Sequence, residues 1–291
     1  MKLLSILDHL ADAPTTAGPS PRRALLRQAG QAAVAALPLG LGLSLPAAAR
    51  PQTAYDALTQ LLQLERLQEA YYTQALAVAG LIPADQRPDF QRMLAHQNRH
   101  VAFLTQALQL TGGLLPPVPQ FDFSGRHNVA TNPVLFPNVL SSYDDFLALA
   151  QQLEDLGVRT YGTYVFTFTD DATLTRTLLR VLPVEGEHAA HVRGLRRNRG
   201  ATVKTWPSST DAPIARPAAA QALTNAASVG EDNTAQLKSP GVNIPFADFL
   251  SVFKLNYVPD TALAEAFDEP LTNTDANTAA RTIQAALDLF V

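Results

Sequence analysis

The chain of 291 residues contains no cysteine. Disulfides, thiolate-held zinc and a cysteine nucleophile are therefore excluded, and any metal must be held by carboxylate, imidazole or other oxygen donors. Charge is scarce as well. Lys and Arg number 22 against 26 Asp and Glu, charged residues make up 16%, and the formal net charge is −4. There is no basic field to attract nucleic acid and no acidic tract calling for a basic partner. What the chain does have is 47% hydrophobic residues, ample for a large core, and 21 prolines that divide it into segments.

The first fifty residues read as a targeting segment. Pro21-Arg22-Arg23-Ala24-Leu25-Leu26-Arg27 is similar to a twin-arginine export signal, followed by a mildly apolar run from Ala29 to Leu45 and by Ala47-Ala48-Ala49, an A-x-A cleavage pattern. The expectation is a signal peptide over residues 1–49, cleaved near Arg50. The run is close to spanning length, but Pro38, Gly40, Gly42 and its alanines make a poor membrane helix. No stable span is expected after cleavage, and the destination would be the periplasm or cell surface of a bacterium.

Beyond it, apolar residues recur at helical spacing from Thr53 to Ala79 and again from about Ala84, behind Pro83, to Leu110. The few residues between them imply an antiparallel pair. Leu114 to Ser142 has no such period and carries Pro116, Pro117, Pro119, Pro133 and Pro137. Two more helices are predicted from Tyr143 to about Thr169 and, capped by Asp170-Asp171, to about Arg199; Pro183 should kink or break the last one. Connections that run short, long, short let the chain travel the bundle's length between helices 2 and 3. The expected fold is all-α: a four-helix bundle over 53–199 with one long crossover. Residues 200–291 form an irregular extension packed on it, with short helices near Phe246 to Lys254, Thr261 to Phe267 and Asn277 to Phe290. Its expected anchors are Leu263, Phe267, Ile283, Leu287 and Phe290.

The halves echo each other. Leu64-Glu65-Arg66-Leu67 with Tyr72 matches Leu153-Glu154-Asp155-Leu156 with Tyr161, and His100-Val101 with Leu104 matches His191-Val192 with Leu195. A seven-residue offset keeps each Glu and Tyr on one helical face. Glu65 stands among Leu58, Leu61, Leu62 and Ala70, an odd place for a carboxylate unless it is paired or binds a cation. Two Glu-bearing and two His-bearing helices in that order are what inward groups around two metal ions require.

On these stretches, with Arg99-His100-Val101 and Glu187 to Leu195, the chain resembles the ferritin-like superfamily. Within it, the chain is similar to exported bacterial ferritin-like proteins related to plant desiccation-associated proteins; Ala266 to Thr272 resembles a recurrent ending of that group. The resemblance implies a four-helix bundle with a di-iron or di-manganese site. Its candidate ligands here are Glu65, His100, Glu154, Glu187, His188 and His191, with Tyr72 and Tyr161 behind them. The pattern needs a Glu three residues before each His, yet Gln97 precedes His100 and His188 precedes His191. A register shifted at Pro183 and Gly186 would recover Glu185 with His188, and Glu187 is the other substitute.

The expected function is an exported bundle protein with a degenerate di-metal site and a stress-protective or structural, non-catalytic role. The alternative is a metal-binding oxidoreductase or iron- or manganese-handling protein, similar to manganese catalase or a ferroxidase. The cofactor is iron, manganese or none, the last leaving a hydrogen-bonded Glu and His network. No protein partner is identifiable, and self-assembly is left open.

Overall fold

The computed structural model describes residues 54–168, 170–228, 265, 271 and 276–291. All regular elements among them are helical. The leader expected over 1–49, the short helices expected near 246–254 and 261–267 with Leu263 and Phe267, and most of the Ala266 to Thr272 stretch lie outside the described residues.

Four long helices form the bundle: α1 (Ala54–Ala77), α2 (Arg87–Leu110), α3 (Tyr143–Tyr164) and α4 (Ala172–Asn198). Gly80, with φ of 78°, reverses the chain after α1. Pro83 does not open α2 as its position suggested. It closes a separate turn, accepting from the amides of Gln86 and Arg87 at 3.0 Å each, and Pro88 occupies the first turn of the helix instead. The side chain of Ser142 caps α3, and Asp171 caps α4 by accepting from the amides of Thr173 and Leu174. A 3-10 turn, Val165–Phe168, ends the third helix early. Pro183 sits within α4, which runs on without a break.

The crossover between α2 and α3 is irregular and tied down by polar contacts. The Asp122 carboxylate accepts from the amides of Ser124 and Asn128, while Arg66 reaches the carbonyl of Pro116. After α4, two helices lie against the α1 and α3 side: α5 (Gln221–Ser228) on α3, and α6 (Ala276–Leu287) on α1 and α5. Ile283, Leu287 and Phe290 are buried there. Phe290 stacks on Phe136 at 4.8 Å and meets Phe123 at 5.8 Å, so the chain end closes over the crossover.

This cover explains a contrast between the helices. α1 and α3 are buried on nearly all sides, and α3 is buried almost continuously from Phe146 to Thr160. α2 and α4 are outer helices with one buried stripe each. α1 packs on α2 and on α3, and α3 on α4, whereas α2 and α4 stand farther apart and meet through side chains such as His96 with His188 and Phe90 with His191. Arg193 of α4 is buried in a two-pronged ion pair with Asp155 of α3, at 2.8 and 2.7 Å, and its remaining nitrogen reaches Asp211 at 2.7 Å. That guanidinium fastens the segment after α4 to the bundle. No helix among the described residues is long and apolar enough to cross a membrane.

Candidate metal centre

Each long helix sends polar groups into the bundle at one level. α1 contributes Glu65, α3 contributes Glu154, α2 contributes His100 with Gln97 one turn before it, and α4 contributes Glu185 and His188; all are buried. Three carboxylates and two imidazoles thus meet in an otherwise apolar interior, where unpaired charge is costly.

The ligand atoms fall into two groups. Those of Glu65, His100 and Glu185 lie within 4.8 Å of one another, as do those of Glu154, Glu185 and His188. That spacing suits a cation bound at about 2.0–2.4 Å from oxygen or nitrogen donors on opposite sides. Glu185 belongs to both groups: its Oε1 is 3.2 Å from His100 Nδ1 and 3.7 Å from His188 Nδ1. It is the shared carboxylate.

The outer oxygens are fixed by neighbours. Tyr161 of α3 donates to Glu65 of α1, and Tyr72 of α1 donates to Glu154 of α3. This exchange follows from the equal seven-residue offsets once α1 and α3 run antiparallel. Burial, reinforced by the adjacent carboxylates, pushes both phenols well above their ordinary range, so they remain donors. Gln68 of α1 donates to Glu185 Oε2 at 3.3 Å and to the carbonyl of Leu153 at 3.1 Å. Gly157 makes the space: a Cβ there would lie 2.6 Å from Glu185 Oε2 and 3.0 Å from Gln68 Nε2.

The inner atoms are different. Glu154 Oε2, Glu185 Oε1 and His188 Nδ1 are buried without an aligned hydrogen bond, although His188 Nδ1 stands 3.3 Å from Glu154 Oε2. Buried polar atoms are nearly always partnered, and three unpartnered atoms converging on one spot fit coordination to a cation. The donor set of carboxylate and imidazole fits iron or manganese.

Electrostatics describe the same centre without a metal. Burial raises Glu65 and Glu154 to about 7, helped in each by the negative charge of Glu185. Glu185 goes the other way: burial opposes its charge, but His100, His188 and Gln68 outweigh burial and lower it. His100 is buried too, yet the carboxylates of Glu185 and Glu65 beside its Nδ1 lift it to about 10. Glu185 therefore keeps its charge between the two imidazoles, and the outer carboxylates share what compensation is left.

Two expected ligands stand elsewhere. Glu187 is exposed on the outer face of α4. His191 lies one turn beyond His188, half-exposed, with Nε2 3.7 Å from Asp89 near the start of α2. The ligand layer is only about one helical turn deep, so a step of three residues along α4 carries the imidazole out of it. No irregularity at Pro183 is needed for Glu185 and His188 to face inward, since they occupy adjacent turns of a continuous helix. Gln97 does occupy the place of a second shared carboxylate: its Oε1 is 3.0 Å from His100 Nδ1, and its Nε2 is buried without a partner. Sequence reasoning missed Gln68 and Gly157, which stand three residues after Glu65 and Glu154, and it missed His96, whose Nδ1 lies 3.0 Å from His188 Nε2.

A profile of the ferritin-like domain family matches residues 53–198, which span the four long helices. No curated protein matches the chain.

Proposed function

We propose, for a chain that belongs to the ferritin-like domain family, a divalent-metal-binding role. Iron or manganese would be held asymmetrically by Glu65, His100, Glu154, Glu185 and His188. The observation that carries this reading is the convergence of Glu154 Oε2, Glu185 Oε1 and His188 Nδ1, buried without aligned hydrogen bonds, on one point. An ion bound there would supply Lewis-acid polarisation and, for iron or manganese, a one-electron couple.

The chain's own groups prepare the site. Tyr161 and Tyr72 hold the outer oxygens of Glu65 and Glu154 and leave the inner ones facing the imidazoles of His100 and His188. Gln68 holds Glu185 toward both imidazoles. Two divalent ions would bring four positive charges against three carboxylates, because Gln97 is neutral. That imbalance supports one tightly held ion, or an uneven pair, with a stress-protective or structural role in place of oxygen-activating turnover. Export by the twin-arginine-like leader to the periplasm or cell surface, and kinship with desiccation-associated proteins, belong to the same proposal. The second reading, a metal-dependent oxidoreductase or ferroxidase, is favoured by the two phenols bonded to the outer carboxylates.

Elemental analysis of the chain purified from its exporting host tests the proposal. Close to one iron or manganese per chain is expected, falling at least tenfold in Glu185→Gln, which keeps the side chain's shape but removes the shared charge. Less than a tenth of an ion per chain, unchanged by the substitution, overturns it. Metal-dependent peroxide consumption or ferroxidase turnover by the wild type would replace the non-catalytic reading with the second one.

A further inference from the structure

His96 lies one helical turn before His100 on α2, at the seam between α2 and α4. It is only partly buried and belongs to neither ligand group. Its ring meets that of His188 edge to edge, with centroids 5.2 Å apart and planes 15° from parallel, and the His96 Nδ1 to His188 Nε2 distance is 3.0 Å.

We infer that His96 is a positioning residue for the metal centre: it accepts a hydrogen bond from Nε2–H of His188 and so fixes the tautomer that turns the Nδ1 lone pair of His188 inward. The inference rests on the metal-binding reading above.

The hydrogen bookkeeping leaves one arrangement. A 3.0 Å contact between two ring nitrogens needs one hydrogen between them. If His96 Nδ1 carried it, a neutral His188 would have its own hydrogen on Nδ1, pointing at Glu154 and Glu185 and closing the imidazole to a cation. If His188 Nε2 carries it, His188 Nδ1 is a free lone pair 3.3 Å from Glu154 Oε2, and the hydrogen of His96 sits on Nε2 toward the seam. Only the second arrangement is compatible with coordination. An imidazole ligand ordinarily donates its second N–H to a carboxylate, carbonyl or water, which sets its tautomer and orientation. Here a neutral imidazole fills that place. Among the described residues His100 has no equivalent partner on Nε2, since its contacts with Gln97, Glu65 and Glu185 all use Nδ1. The two halves of the centre thus differ on the imidazole side as well as at Gln97.

The test uses the full chain, Zn(II) as the probe, and two replacements of similar size. His96→Gln keeps an oxygen that can accept from His188 Nε2–H; His96→Leu removes it. Calorimetric titration should show Zn(II) affinity falling by roughly 10–100-fold in His96→Leu, the usual cost of losing such a partner, and recovering most of that loss in His96→Gln. Nitrogen-15 spectra of the Zn(II)-loaded wild type should place the His188 hydrogen on Nε2, and thermal melts of the two metal-free variants should agree, which separates positioning from folding. Equal Zn(II) affinity in wild type and His96→Leu, equal loss in both variants, or the hydrogen on Nδ1 overturns the role of His96 alone. A wild type that binds no Zn(II) overturns the metal centre and this role with it.

Discussion

Glu185 is placed by two small decisions in neighbouring helices. Gly157 leaves a gap on α3, and Gln68 on α1 fills part of it with a donor that takes one carboxylate oxygen. Gly157→Ala should therefore separate binding from folding. Alanine gains up to about 1 kcal/mol of helix propensity over glycine, and the atom it would strike is the far end of a flexible side chain, which can yield. The displaced carboxylate is then no longer shared between His100 and His188. The expected outcome is a melting temperature within a few degrees of wild type and Mn(II) affinity at least tenfold weaker by calorimetry. Unchanged affinity would show that Glu185 is not held where the ion binds. The same scale shows what could be read from residue order. Glu65, Glu154 and the phenols seven residues on stood out because a carboxylate among leucines is anomalous. His191 drew attention through a His-Val-x-x-Leu likeness to His100, but the two copies face the interior differently: Val192 and Leu104 are fully buried, whereas Val101 and Leu195 are only partly buried. Glu185-x-x-His188 was the chemically meaningful spacing. Choosing it required the rotation of α4 about its axis, which a proline in mid-helix made hard to infer.

At the level of elements, loop lengths carried more information than motifs. Connections that run short, long, short dictated antiparallel pairs joined by one crossover, and turn and cap residues set most boundaries. Asp171 marked the start of α4. Pro83 and Pro183 misled because proline is compatible both with a turn before a helix and with a helix interior whose lost donor is tolerated. The crossover's course was not legible at all, since its order comes from distant partners, among them Phe290 near the chain's end. Phe290 is fully buried against Phe136 and Phe123, and its carbonyl accepts from the amide of Asp122 at 2.8 Å. Phe290→Ala should cost about 3–5 kcal/mol in denaturant unfolding of the metal-free chain. Metal affinity should be kept, because Phe290 touches the crossover and none of the ligands. A loss below about 1 kcal/mol would mean that the chain end does not seal the crossover.

The whole molecule joins a covered α1 and α3 side to an outer α2 and α4 side, and the charge at the centre links stability to pH. Glu65 and Glu154 are raised from 4.5 to about 7, so the stability they contribute is complete below about 4.5 and lost as pH rises through 7. His100, raised from 6.5 to about 10, adds stability that is complete below about 6.5 and lost as pH rises through 10. The metal-free chain should therefore melt at progressively lower temperature from pH 5 to pH 10. Metal needs deprotonated carboxylates and neutral imidazoles, so the melting-temperature gain from saturating Mn(II) should grow between pH 5 and pH 8. A metal-free melting temperature that climbs over this range would contradict the network of charges described.

The most direct measurement is an anomalous-diffraction map of crystals of the full chain grown with Mn(II). The account predicts a peak inside the bundle within about 2.5 Å of Glu185 Oε1, bounded by His100 and Glu65 on one side or by His188 and Glu154 on the other. Manganese only on the outer surface, or none beside Glu185 in crystals that hold it elsewhere, would contradict it.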